Sequence, residues 1–140
     1  MLSIFNISST GVNFYKNSLD AIAYNVANIN TVRSMEQSAV RRQTVVGTAD
    51  ASPAPSMVGT GGTIGNGVSF KMVQSDSGEG LVTFDPEHPL ANEDGYVRRP
   101  DIDLTTEMAD MIIAQRGYQA NLAVIQRATE SYQAALQLGK

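Results

Sequence analysis

The chain has 140 residues, 42% of them hydrophobic, with no cysteine, no tryptophan and a formal net charge of −4 at pH 7. The missing cysteine excludes a disulfide scaffold, a thiolate metal site and a cysteine nucleophile. Nucleic-acid binding is disfavoured because Arg41-Arg42 and Arg98-Arg99 are the only adjacent cations, and affinity for a phosphate backbone rests on clustered positive charge.

Stepping alternately three and four residues from Phe5 gives Phe5, Ser8, Val12, Tyr15, Leu19, Ile22, Val26 and Ile29, apolar except at Ser8. That 3.5-residue period predicts a helix packing along a partner with a left-handed twist. The helix is expected over about 10–28, with Ser8, Ser9 and Thr10 as candidate N-caps. Asn28, Asn30 and Thr31 form a stop, since asparagine competes for backbone hydrogen bonds and tolerates the left-handed conformation. Residues 31–43 show neither helical nor strand period and read as an irregular connector with little to bury.

Gln43-Thr44-Val45-Val46 is a short β-branched strand. Residues 49–67 are almost wholly Ala, Ser, Pro, Thr and Gly, which is loop chemistry. Val68-Ser69-Phe70-Lys71-Met72-Val73 alternates, Ser77-Gly78-Glu79-Gly80 is a turn, and Leu81-Val82-Thr83-Phe84 is a further strand, so a hairpin is predicted between these two runs. Asp85-Pro86-Glu87-His88-Pro89 is extended or turn-like. Asp94-Gly95 is another turn, followed by Tyr96-Val97-Arg98-Arg99. The six acids Asp76, Glu79, Asp85, Glu87, Glu93 and Asp94 read as a solvated acidic stretch.

A second helix is predicted from Asp101 or Asp103 to about Leu138, with acids placed where the helix dipole favours them. Its heptad positions are Leu104, Met108, Met111, Gln115, Tyr118, Leu122, Ile125, Thr129, Tyr132 and Leu136, polar only at Gln115 and Thr129. At ~1.5 Å per residue this helix is on the order of 50 Å long, more than the small middle region can cover. Gly117 inside it is either simple tolerance or a site of close helix approach, helped by Ala114, Ala120 and Ala128. The fold class is therefore mainly α with a small β region: long N- and C-terminal helices packed as a coiled coil, flanking a short-stranded β/loop middle.

Catalytic chemistry has little to stand on. His88, the only histidine, sits between Glu87 and Pro89 with no nucleophile or orienting partner in a recognisable motif. The glycines from Gly59 to Gly67 fit no phosphate-binding pattern: Ile64 takes the third glycine position of a G-x-G-x-x-G, and no Gly-Lys-Ser/Thr follows. Asp101, Asp103 and Glu107 lack calcium-loop spacing, since Thr106 stands where a glycine is needed. No catalytic, cofactor-binding or metal site is assigned. No apolar run reaches the ~18 residues of a membrane span, and the first residues lack the basic region and cleavage site of a secretory signal peptide.

Two stretches carry a resemblance. Asn17-Ser18-Leu19-Asp20-Ala21 with Tyr24-Asn25-Val26-Ala27-Asn28-Ile29-Asn30-Thr31, and Arg116 with Tyr118-Gln119-Ala120-Asn121, resemble the N- and C-terminal helix signatures of bacterial flagellar basal-body rod proteins. Residues 85–91, 95–97, 100–103 and Glu107-Met108 resemble more narrowly the proximal rod members of that family. The chain departs from many relatives at Val32-Arg33-Ser34-Met35, where a Gly-Tyr turn is common. The resemblance implies a structural axial subunit and no enzyme. It implies partners among other rod subunits and copies of itself, and passage through the flagellar type III export apparatus without a cleaved signal peptide to the rod in the periplasm.

It further implies a helical tube domain made of the N-terminal helix, 1–32, and the C-terminal helix, 101–140, around a middle region of 33–100. The expected assembly interface is Val12, Tyr15, Leu19, Ile22, Asn25, Val26, Asn28, Ile29, Asn30, Met108, Met111, Tyr118, Asn121, Leu122, Ile125, Tyr132 and Leu136. A soluble coiled-coil adaptor or export chaperone is the alternative that the heptads alone allow. A peptidoglycan hydrolase using Glu87 has no motif behind it.

Overall fold

The computed structural model describes residues 2–50, 66–75 and 78–138. The order is α1 (Leu2–Asn28), β1 (Gln43–Ala49), β2 (Val68–Gln74), β3 (Leu81–Phe84), β4 (Tyr96–Arg99) and α2 (Leu104–Leu138). Mainly α with a small antiparallel β region is thus the observed class.

Helix α1 starts at Leu2, well before the expected caps at Ser8, Ser9 and Thr10, which lie inside it. The reason is that each of two of these residues has found a different use. Ser8 is buried, and the Thr10 hydroxyl donates back to Ile7 O at 2.7 Å while accepting from Val68 N at 3.1 Å. The stop falls as expected at Asn28: Thr31 N bonds Asn28 O at 2.9 Å, closing a turn past the helix.

Helix α2 begins as predicted, with Asp103 as its N-cap. The Asp103 carboxylate accepts from Thr106 N at 2.9 Å, from Thr105 N at 3.3 Å and from the Thr106 hydroxyl at 2.6 Å. These bonds satisfy amides that have no partner within the helix. They also hold the carboxyl below its ordinary value, the Thr106 side chain contributing most.

The helices pack antiparallel. Gly11 faces Asn121, Tyr15 faces Gly117, and Asn25 meets Glu107. A Cβ on Gly117 would collide with the Tyr15 ring, and one on Gly11 with the Asn121 side chain. Close approach, rather than tolerance, is the reason for Gly117. Ala114 is buried beside it, whereas Ala120 is exposed.

On α1 the inward face is therefore Ser8, Gly11, Tyr15, Ser18, Ile22 and Asn25. It shares Ser8, Tyr15 and Ile22 with the heptad read from the sequence, but pairs them with small or polar residues instead of Val12, Leu19 and Val26. Small side chains let the backbones approach, and the bulkier heptad residues are left toward the edge. The same register places Glu130 opposite Leu2, so residues 131–138 of α2 run past α1 by roughly 12 Å. All of them are exposed.

The strand pairing differs from the expectation. Val68–Gln74 does not pair with Leu81–Phe84 across the local turn; it pairs antiparallel with β1, from Gln43↔Gln74 to Ala49↔Val68. Leu81–Phe84 pairs instead with β4, from Leu81↔Arg99 to Phe84↔Tyr96. Two separate two-stranded sheets result. The β1–β2 ribbon lies along α1, where Phe14 packs against Gly47 and Thr10 against Gly67, and this apolar support selects the distant partner over the near one. Residues 51–65, 76 and 77, which hold most of the expected glycine-rich loop and part of the expected turn, lie outside the described residues.

The connector is irregular as anticipated but contributes more than its polarity suggested. Ala39 and Val40 are buried with Val97 and Ile102. Arg33 exchanges backbone hydrogen bonds with Arg98 at 2.9 Å each way, and Ala39 N bonds Gly78 O at 3.1 Å. These contacts hold the β3–β4 sheet to the rest of the chain.

Candidate assembly surface

At the inner end of the helix pair sits a polar clasp. Asn25 is fully buried, and its side-chain amide pairs with the backbone of Gln43 as a neighbouring strand would. Asn25 Nδ2 donates to Gln43 O at 2.8 Å, and Asn25 Oδ1 accepts from Gln43 N at 2.8 Å. Nδ2 also donates to Glu107 Oε2 at 3.1 Å. Glu107, likewise fully buried, accepts from Arg42 Nε at 2.5 Å, and Arg42 Nη2 reaches Asp110 Oδ2 at 3.1 Å. The hydrogen bond to Glu107 is the main cause that raises the Arg42 pKa above its ordinary value. One residue each from α1 and the connector and two from α2 thereby fix the start of β1 on the helix pair.

The clasp was only half visible in the sequence. Glu107 reads there as a helix-start charge and Arg42 as half of a surface pair. The signal that could have joined them is Glu107 and Asp110, three apart on one helix face, with few cations available to answer them.

The other sequence-derived positions sort by exposure. Ile22 and Asn25 are buried within the chain. Val12, Tyr15, Leu19, Val26, Asn28, Ile29, Met111, Tyr118, Asn121, Leu122 and Ile125 are half-buried, and Asn30 is exposed. Met108, Tyr132 and Leu136 are 55%, 50% and 55% exposed, with Leu104, Ile112, Ile113 and Val124 also open to solvent. These α2 residues form an apolar stripe that stays open to solvent among the described residues.

An open groove of about 230 Å³ lies between α1, β1 and α2, beside the clasp. Phe14, Tyr15, Ile22, Val45, Ile113 and Ala114 form its mainly apolar walls, and Thr44 and Asp110 stand among its polar residues.

His88 Nδ1 accepts from Leu90 N at 3.1 Å, and His88 O accepts from Ala91 N at 2.9 Å, so the residue shapes its own loop. Among the described residues no group of three or more His, Cys, Asp or Glu could hold a metal ion, and no helix is long and apolar enough to cross a membrane.

Two long terminal helices around a small β region, with several large apolar side chains of α2 open to solvent, fit a structural class of protein that packs against others. The family model described as flagellar basal body rod FlgEFG protein C-terminal matches residues 93–138, which contain β4 and α2. Over nearly their whole lengths the relatives agree. The chain is 31% identical to the flagellar basal-body rod protein FlgC of Borreliella burgdorferi, over 97% of this chain and 95% of that one. It is 32% identical to that of Salmonella typhimurium, over 100% and 98%, and 29% identical to that of Bacillus subtilis, over 96% and 95%. The chain belongs to the FlgC family of flagellar basal-body rod proteins, whose members are structural parts of the rod and not enzymes.

Proposed function

We propose that the chain is an axial subunit of the proximal rod that self-assembles through its terminal helices, transmits torque and forms part of the export channel. The observation that carries this reading is the uncovered apolar stripe of α2, from Leu104, Met108 and Ile112 to Tyr132 and Leu136. Each such side chain gains roughly 1.5–3 kcal/mol gross on burial. A head-to-tail contact that does not close builds a filament rather than a ring, which suits a rod.

In this reading 1–32 and 101–140 form the helical tube domain, packed with neighbouring subunits as a coiled coil, and 33–100 is the middle region. Val12, Leu19, Val26, Ile29, Met108, Met111, Tyr118, Leu122, Ile125, Tyr132 and Leu136 belong to the intersubunit seam. The partners are copies of the chain and other rod subunits, and nucleic acid is not among them. The chain reaches the periplasm through the flagellar type III export apparatus without a cleaved signal peptide.

The test is complementation of a cell lacking this chain, followed by isolation of basal bodies. Restored swimming, with the intact chain in the purified rod fraction, is expected. Recovery only in the cytosol, as a discrete complex with another flagellar protein, contradicts the proposal.

A further inference from the structure

We propose that the groove between α1, β1 and α2 receives the C-terminal end of α2, residues 131–138, from a second copy of this chain. This rests on the reading of the chain as a self-assembling rod subunit and names the contact that such assembly uses.

Four observations converge. The groove holds about 230 Å³ of space between mainly apolar walls; an apolar cavity of about 150 Å³ is already enough to take a benzene ring. One aromatic side chain with part of a leucine therefore fits. Residues 131–138 are an exposed helical end, carrying Tyr132 at 50% and Leu136 at 55% exposure, four apart and so on one face.

The chemistry at the mouth also matches. Asp110 and Thr44 are among the groove's lining residues; Arg42 donates to both, at 3.1 and 3.2 Å, which leaves each oxygen further acceptor capacity, and a tyrosine hydroxyl needs a polar partner once its ring is buried. Finally, the overhang of the same chain cannot reach this groove: Ala114 in the groove and Tyr132 on the overhang are separated by roughly 27 Å of continuous helix. Donor and acceptor surfaces at different places on one rigid pair allow a heterologous contact, and one whose rotation does not close repeats along a filament.

A chain without cysteine makes the test direct. Ile113→Cys places one thiol on the groove, and Leu136→Cys, in a second preparation, places one on the overhang; the two are mixed and oxidised. Disulfides require Cα atoms within about 7 Å, so a seated overhang cross-links and an unseated one does so only by collision. The Ile113–Leu136 heterodimer should form about tenfold faster than a control pair of Leu136→Cys with exposed Gln119→Cys, because docking raises the effective thiol concentration.

Adding Tyr132→Ala to the overhang preparation should return the rate to the control level without changing helix content in circular dichroism, since Tyr132 is half exposed on an exposed helical end. A rate no better than control, or one indifferent to Tyr132→Ala, overturns the proposal. So does a groove cysteine that cross-links in cells only to another flagellar protein. The rod assignment fails separately: it falls if the chain is absent from purified basal bodies, and it stands if the chain is there but this cross-link is not.

Discussion

Gly117 and Tyr15 decide how near the two helices can come. In an isolated helix, Gly117→Ala would stabilise by roughly 1 kcal/mol through propensity. Here the added methyl lands in the Tyr15 ring, and overpacking of this kind costs typically 1–3 kcal/mol. Gly117→Ala should therefore lower the urea unfolding midpoint, and pairing it with Tyr15→Ala should remove most of that penalty. A stabilised single variant would show that the ring moves aside freely.

Asn25 is the second residue of this kind. Asn25→Ala leaves the backbone N–H and C=O of Gln43 without their partners, and each unsatisfied buried group costs about 1–3 kcal/mol. Asn25→Asp should be no rescue, because it sets a carboxylate against buried Glu107. Urea unfolding of both variants checks this; a neutral Asn25→Ala contradicts the clasp. The sequence pointed to Asn25 through its signature but not to this role, because the partners at 43 and 107 are distant in the chain and no local pattern announces them. Gly117, by contrast, was legible as a choice between two explanations, and the ring of Tyr15 decides it.

Among elements, the helices were the most readable and the strands the least. Periodicity over many residues located α1 and α2, and the acids before Leu104 located the α2 cap. The error at the start of α1 came from reading Ser8, Ser9 and Thr10 by their propensity for caps, whereas Ser8 is small enough for the helix seam and Thr10 reaches the end of the β1–β2 ribbon. Strand pairing went to the partner that α1 supports, which short-range turn signals cannot reveal.

The α2 cap makes a pH prediction. The Asp103 carboxyl is held low by the Thr106 and Thr105 donors, so its folded value lies below its unfolded value. Such a group stabilises the fold fully above the ordinary carboxylate range, near 3.9, and loses that contribution as pH falls through the lower folded value. Asp103→Ala should lower the melting temperature at neutral pH, and the gap from the unaltered chain should close in strong acid. A gap independent of pH would contradict a charged cap. At the other end of α2, residues 131–138 are all exposed, and a short helical end is marginal by itself. Amide hydrogen exchange in the free chain should be markedly faster there than over 107–125, and equal protection would contradict the overhang.

At the scale of the molecule, the proposed assembly divides the helical surface between two uses. Small and polar residues (Ser8, Gly11, Ser18, Asn25, Ala114, Gly117) and the clasp hold the helices to each other. The larger side chains of α2, Met108, Ile112, Tyr132 and Leu136, remain outside. The heptads alone could not separate these uses, because a 3.5-residue period is the same for a seam within one chain and a seam between chains. The close approach at Gly11 and Gly117 marks the internal seam, which takes Tyr15 and Ile22 along with the small residues and leaves Met108, Ile112, Tyr132 and Leu136 outside it.

The measurement that bears most directly on this division compares stability with assembly in one variant, Leu136→Glu. The free chain should keep its helix content and its unfolding free energy within about 0.5 kcal/mol, as surface substitutions do, while incorporation into purified rods and swimming are lost. A variant that unfolds the free chain, or one that still builds rods and swims, would contradict the claim that the outward stripe of α2 is the seam between subunits.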